Sequence, residues 1–423
     1  MRIAVGNDPH RTTDDIVAWA ESGAMALTGP AAQPPSPAPA AVATTAAAAA
    51  VDLAVRTAEW GRRVEVDGPA LLGERAAITG MTRNGSTSVG GAARFVRAAD
   101  GWLAINLPRS EDVAALPAMV SADVASDDWP AIERALADRS LAELVEQATL
   151  LGLAVGVPGS VAQPAAPARE LSRGGARRSS ATPLVVDLTS LWAGPLAAQL
   201  LGAAGARVVK VEGRGRPDGA RAGARAFFDL LNHGKECLAL DFDDRSDVAL
   251  LHRLLSSADL VIEGSRRRVM DRLGIDPAVL AAGGTSWLSI TAHGRTGDAA
   301  NRVGFGDDAA VAGGLVVPGE PPMFVADAVA DPLTGLVAAV YGAGLLGGNR
   351  ASVLEVPLAR VAAWAAGPLA TAPVRATSDG WAVEVGGEIA AVANPRHRPI
   401  PAPAASLGAD DARLRAEFAA PPG

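Results

Sequence analysis

Three observations predict a doubly wound α/β fold for the longer part of this chain. Short, unbroken apolar runs recur after residue 182, stretches with helical spacing lie between them, and the loops that follow the runs are polar. A short continuous apolar run is what a strand buried on both faces requires. Strands that alternate with helices imply right-handed crossovers and a parallel, Rossmann-like sheet. A second, smaller domain is expected ahead of it, because 423 residues exceed one small core.

The elements follow in order. "PLVVDL" (183–188) is the first strand, and "GPLAAQLLGAAGA" (194–206) a helix whose end falls near Gly205. "RVVKVE" (207–212) and "CLALDF" (237–242) are the second and third strands. "RSDVALLHRLLSSA" (245–258) is a helix, "DLVIEG" (259–264) the fourth strand and "SWLSITA" (286–292) the fifth. Ligands of such sheets sit at the carboxyl ends of the strands. Those ends carry "TSLWAGP", "EGRGRPDGAR", "EGSRRR" and "TAHGRTG", three of the four with arginine. Arginine there suits an anionic, phosphate-bearing ligand, and it equally suits an ordinary solvated loop. The first strand is followed by "WAGPLA" rather than G-x-G-x-x-G, and "GRGRPDG" comes only after the second strand. A nicotinamide enzyme is rejected on that context.

A net charge of −8 gives no reason to expect nucleic acid or an anionic membrane as partner. The N-terminus "MRIAVGNDPHRTTDD" lacks the basic start and apolar run of a secretory signal. The apolar stretch at 39–59 is broken by Thr44, Thr45, Asp52 and Arg56, so it is not expected to span a membrane. A cytoplasmic location follows. The single cysteine, Cys237, excludes an internal disulfide and a cysteine cluster for zinc, and within "ECLALDF" it reads as a small buried hydrophobe. Basic residues are almost all arginine; the only lysines are Lys210 and Lys235.

"AQPAAPARELSRGGARRSSAT" (162–182) has linker composition. We place the linker at 166–182, between a first part at 1–165 and a domain at 183–365, with a C-terminal segment at 366–423. An internal echo is present. Residues 22–71 parallel residues 312–361: glycine, a Pro-rich loop, an Ala/Val helix, a basic turn and a strand-like "VEV" or "LEV". In the echo "AVATTAAA" stands where "AVADPLTG" stands later, so Thr44 occupies the place of Asp331. Locally, Asp331 followed by Pro332 is what a helix N-cap and first turn look like.

Five segments resemble the family III CoA-transferases, the CaiB/BaiF type, in order and spacing. They are "VVDLTSLWAGPLAAQLLGAAGARVVKVE", "LLNHGKECLALDF", "DLVIEGSRRRVMDRLG", "WLSITAHGRTGDAANRVGFGD" and "VADPLTGLVAAVYG". The resemblance covers 183–365, and "NPRHRPIPAPAASLGADDARLRAEF" is similar to the family's tail. "VGGAARFVRAADGWLAINL" and "WPAIERALADRSLAELVEQATLLGLAVGVPGSV" are similar to its small α+β domain. That domain normally follows the first half of the nucleotide-binding domain, whereas here its match comes first. With the echo, the chain looks like a shortened tandem, the back half of one unit fused ahead of a second. A homodimer is expected, though the family's interlocked ring does not follow from this order.

The resemblance implies CoA transfer from an acyl-CoA to a carboxylic acid through an aspartyl anhydride and an enzyme–CoA thioester. No permanently bound cofactor or metal is implied; the CoA thioester is substrate. By motif match the nucleophile is Asp331, kept ionised by the helix dipole, while Asp327 is a neighbour facing a loop or strand edge. CoA-binding candidates are Trp192, Lys210, Arg214, Asn232, Lys235, Arg266 and Arg272, with Arg216 a further phosphate candidate. Lys235 is expected on phosphate, Lys210 there or in a structural role, and Trp192 over the pantetheine or in the core. Gly90 and Gly91 match a glycine loop that closes over the reacting aspartate with amide donors, or they form an ordinary turn. The family's "ENF" is "EGS" here, with Gly264 and Ser265. Racemases of the superfamily place a histidine before the helix preceding the aspartate; here Phe305 stands there in "VGFGDD", leaving His293 as a fallback base. A non-catalytic CoA-binding descendant is the remaining alternative.

Overall fold

The computed structural model describes residues 9–121, 124–178 and 180–419. Three strands in the first part, β1 (Ala93–Ala98), β2 (Gly101–Asn106) and β3 (Ala154–Gly156), form an antiparallel sheet. Helices of residues 110–151 pack on it through Leu116, Met119, Ile132, Leu136 and Leu144. This is the expected small α+β unit.

The central sheet has seven strands. They are β4 (Arg169–Ala176), β5 (Leu184–Leu188), β6 (Arg207–Gly213), β7 (Glu236–Leu240), β8 (Leu260–Glu263), β9 (Ser286–Ser289) and β10 (Arg350–Glu355), in the order β4-β10-β9-β8-β5-β6-β7. All neighbouring pairs are parallel except β4–β10. The five expected strands are therefore present, and the order changes direction at β5, where a doubly wound sheet opens its ligand crevice.

The linker expectation at 166–182 needs correction. Residues 169–176 form the antiparallel edge strand on β10. The segment "RELSRGGA" lacks apolar alternation because the strand is largely exposed, and its charged side chains discourage further pairing at the edge. Conversely "VEV" (64–66), the echo of β10, is not a strand. Among the described residues the first part has no parallel sheet for it to join. Residues 366–419 are also more than a tail. They build a small antiparallel sheet (Val374–Thr377, Gly380–Val385, Glu388–Ala391) and then cross to the central sheet, where Asp411 Oδ1 accepts from Ala239 N at 2.8 Å.

Five helices position the site: α1 (Ala41–Ala58), α2 (Glu74–Thr79), α3 (Ala193–Ala203), α4 (Gly306–Ala312) and α5 (Ala330–Gly347). α5 is the hub, lying against α3 and α1. Its Leu333, Leu336, Val337, Val340 and Leu346 share one core with Leu196, Leu200 and Leu201 of α3 and Val42, Ala46 and Leu53 of α1. Each large side chain there is worth about 1.5–3 kcal/mol of burial. α1 and α5 are each 18 residues long and apolar enough, by length and composition, to cross a membrane. Most of α5 is buried in this core, which explains its composition. The two echo helices thus pack on one another. Cys237 lies on β7, 2% exposed, and burial pushes its thiol up to about 11, as fits an inert core residue.

Candidate active site

The segment "VADAVADPLTGL" enters α5 by an unusual path. Ala326 and Ala328 both have left-handed backbone, φ 49° and 45°, a costly conformation for a residue with a Cβ. Between them Asp327 is turned fully inward. This corrects the expectation of a loop-facing Asp327. Its carboxylate is held by Arg75 of α2: Nε donates to Oδ2 at 2.8 Å, and Nη2 donates to Oδ1. The two residues are 252 positions apart in the chain.

Asp331 lies in the first turn of α5 and is partly exposed. The cap position is Val329, and no side chain caps this end. Asp331 is therefore not the N-cap that its local sequence implies. Its Oδ2 lies against Gly306, at the start of α4. A Cβ at 306 would stand 2.5 Å from that oxygen and 2.4 Å from the carbonyl of Ala328, so glycine alone permits this approach. Asp307 follows, 6% exposed, its Oδ1 accepting from Ala328 N at 3.1 Å. Asp308 is fully buried, accepting from Asn106 Nδ2 at 2.8 Å and from Phe305 N at 2.9 Å.

This gathering of carboxyls changes the expected protonation. Burial pushes Asp331 up to about 7, with Arg75 opposing and Asp307, Asp308 and Asp327 adding to the rise. Burial, then the charge of Asp327, pushes Asp307 up to about 7 as well. The helix dipole does not hold Asp331 well ionised; the carboxyl is poised near neutrality, where a general base or nucleophile is most useful.

A stability test follows. The unfolded Asp307 carboxyl titrates near about 3.9, so between there and about 7 the folded protein holds a proton that the unfolded chain has lost. That group's contribution to stability falls as pH rises through the window. Asp307→Asn is therefore expected to raise the thermal midpoint at pH 8 more than at pH 5. Equal shifts at both pH values, by calorimetry, would count against the buried-carboxyl assignment.

The other candidates divide. Arg75 lies over the ring of Trp192, 5.0 Å from its centroid, and Trp192 meets Phe227 edge-on at 5.0 Å. Trp192 is 2% exposed and its Nε1 has no partner among the described residues. It therefore serves the core and floors the site. A Cβ at Gly90 would stand 3.2 Å from Arg75 Nη2, so the exposed glycine turn lies against the Arg75 guanidinium, with Gly91 at φ 78°.

The lysines are corrected. Lys235 spends its three protons internally, on Asp187 Oδ2 (2.8 Å), Pro195 O (2.9 Å) and Asn232 Oδ1 (3.0 Å). Asn232 is buried and donates to Phe228 O at 3.0 Å. Lys210 is 1% exposed, bonded to Thr189 O and Asp218 Oδ2, each at 2.9 Å. None of the three is open to a phosphate. The two lysines look like ligand contacts in sequence because their acceptors Asp187, Pro195 and Thr189 lie 21 or more positions away in the chain.

Arg214 is held by Asp411 (2.7 Å) and Ala239 O (2.9 Å), and Arg272 lies at the surface, 4.0 Å from Asp243. Arg266 occupies the N-cap position of the helix after β8; it is partly buried, and its side chain makes no hydrogen bond or ion pair among the described residues. Burial, then Arg268, Arg109 and Arg216, lowers the affinity of its guanidinium for its proton. Arg109, Arg216 and Arg268 thus lie near enough to Arg266 for their charges to act on it. His293 is kept neutral, pushed down to about 3 by burial and Arg302, and faces Asp308 across Gly304. Sequence reasoning missed Arg75, whose short helix carries no signal, and Asp307, which stood unremarked in "GFGDD".

Comparison with known proteins gives a consistent family. The family described as CoA-transferase family III matches residues 183–420. The succinate–glutarate CoA-transferase of Agrobacterium fabrum is 32% identical over 171 residues, 36% of this chain and 43% of that protein. The human alpha-methylacyl-CoA racemase is 38% identical over 96 residues, 23% of each chain. A solved CaiB/BaiF family protein from Brucella suis aligns over 48% of this chain and 64% of that one, with 27% identity and a TM-score of 0.41. The chain spans under half the length of these curated relatives.

Proposed function

Because the chain belongs to CoA-transferase family III, we propose that it moves coenzyme A from an acyl-CoA thioester to a carboxylic acid, with Asp331 as nucleophile. The observation that carries this reading is the setting of Asp331: at the head of α5 it is the half-buried residue of a group whose other members, Asp307, Asp308 and Asp327, are buried. An ionised Asp331 oxygen attacks the thioester carbonyl; the C–S bond breaks, leaving an aspartyl–acyl anhydride and CoA thiolate. The thiolate attacks the Asp331 side of the anhydride, releasing the first acid and forming an enzyme–CoA thioester. The acceptor carboxylate attacks that thioester, and the thiolate then takes the acceptor's acyl group, restoring Asp331. Each exchange trades one activated acyl group for another, so none is steeply uphill.

In this reading Arg75 neutralises Asp327, so that only the remaining carboxyls compete for protons. The glycine loop supplies the Gly90 amide beside the reacting carbonyl, while Gly91 N donates within its own turn to Ser88 O at 2.9 Å. Arg216, Arg266 and Arg268, rather than the lysines, take the phosphates of CoA. Arg75 and the glycine loop come from the first part and Asp331 from the second, so one chain supplies both sides of the site. The donor and acceptor acids are members of the acyl-CoA and carboxylic acid classes.

The test is to incubate the full chain with a panel of acyl-CoA esters and acids, quench with hydroxylamine, and map the modified residue by mass spectrometry. Conversion at Asp331, together with CoA exchange, is the expected result. Exchange of the α-proton with solvent and no CoA transfer would favour a racemase. CoA binding without either would favour a non-catalytic descendant.

A further inference from the structure

Asp307 and Asp308 are the carboxyls of the site that neither the transfer step nor the Arg75 pair uses, and of these Asp307 adds more to the rise of Asp331. Asp307 follows Gly306, whose Cα faces Asp331 Oδ2. Ala328 joins the two aspartates: its N–H donates to Asp307 Oδ1 at 3.1 Å, and its carbonyl accepts from the backbone N–H of Asp331 at 2.8 Å. Asp307 is the more buried of the two.

The charges around this pair come from every neighbouring element. Arg75 reaches in from α2, but both donors it directs here are taken by Asp327. Asp327 and Asp331 come from the entry to α5, and Asp308 follows on α4. Arg302 and His293 stand on the far side, against Asp308. The Asp307 and Asp331 side chains therefore have no hydrogen-bonded cation of their own among the described residues. Two carboxyls so placed do not ionise independently; they titrate as a pair. Among the carboxyls around Asp331, Asp307 contributes most to its rise.

We infer that Asp307 is a positioning residue for the transfer reaction: seated behind Asp331, its carboxyl shares one proton with it and so decides when Asp331 is free to attack. This rests on the reading of Asp331 as nucleophile. When Asp307 holds the proton, Asp331 is the carboxylate. No co-reactant is consumed, because the proton only changes carboxyl.

Asp307→Asn tests it, since asparagine keeps an oxygen for the Ala328 N–H and removes the competing acid. Trapped acylation at Asp331 is measured in the full chain from pH 5 to 9, each protein against its own plateau. The wild-type acid limb is expected near pH 7, and the variant's limb lower by about one unit or more. At pH 6 the variant then retains about fivefold more of its plateau than the wild type. An acid limb in the same place, even with a lower rate, would overturn the inference.

Carboxyl ¹³C titration by NMR, with aspartate labelled, reads the same pair without turnover. Assignments come from Asp307→Asn and Asp331→Asn. Shared inflections in the wild type, reduced to one lower inflection for Asp331 in Asp307→Asn, are expected. A single Asp331 inflection unmoved by Asp307→Asn overturns the pairing. If no acylation occurs at any pH, the nucleophile reading fails, and this titration still decides the pairing.

Discussion

Replacing Asp331 by asparagine is expected to lower CoA transfer by at least about 10⁴-fold, the scale seen when a covalent nucleophile is removed. Asparagine fits the same space beside Gly306 but cannot form the anhydride. The fold is expected to survive, because the partly exposed Asp331 makes no side-chain cap for α5 and its charge is opposed by neighbouring carboxyls. The unfolding midpoint at pH 8 should not fall. Neither trapped acyl group nor enzyme–CoA thioester should remain. Transfer within about tenfold of wild type, in a preparation checked by intact mass, would remove Asp331 from the mechanism and leave Asp307 as the next carboxyl to examine.

Lys235→Met is expected to act on stability rather than on substrate affinity. Lys235 is 6% exposed and bonded to Asp187, itself fully buried. Burial pushes the Asp187 carboxyl up, but Lys235 and Lys210 outweigh it and hold the carboxyl below its usual range. Removing one partner of a buried pair leaves an uncompensated charge and costs about 3–5 kcal/mol. The expected result is a clear loss in denaturant midpoint with little change in KM for the acyl-CoA at temperatures where the variant is folded. Combining it with Asp187→Leu should recover part of the loss, since an apolar pair of similar volume needs no cation. An unchanged midpoint with a raised KM would instead restore Lys235 as a phosphate ligand.

The strands of the sheet were legible because burial on both faces leaves unbroken apolar runs. β5, β6, β7, β8 and β9 each read as such a run, with ends off by a few residues. β4 was not legible. An exposed edge strand made of Arg, Glu, Ser and Gly has the composition of a linker, and only the open side of β10 makes it a strand. The register of Asp331 at the start of a long apolar helix was legible, but its protonation was not. Nothing in "AVADPLTG" says that Asp307 and Asp327 will lie beside it, or that the one cation paired there arrives from Arg75.

The two lysines show the same division from the other side. Their rarity marked Lys210 and Lys235 as residues with specific work, and that was right. Which work they do depended on whether their ammonium groups face a crevice or a buried carboxylate. Asp187 lies on β5, one strand removed from β7, and Asp218 lies in the loop after β6.

By itself, then, the sequence determined the α/β winding, the order of the helices and strands around the crevice, and the place of Asp331 at the head of α5. These depend on local spacing of apolar residues and on motifs of a few positions. Only the tertiary structure decided which charges are paired and which aspartate of the group is least buried. Charge pairing in a buried site is fixed by distance in space. The residue that neutralises Asp327 lies 252 positions away, so no local pattern records it.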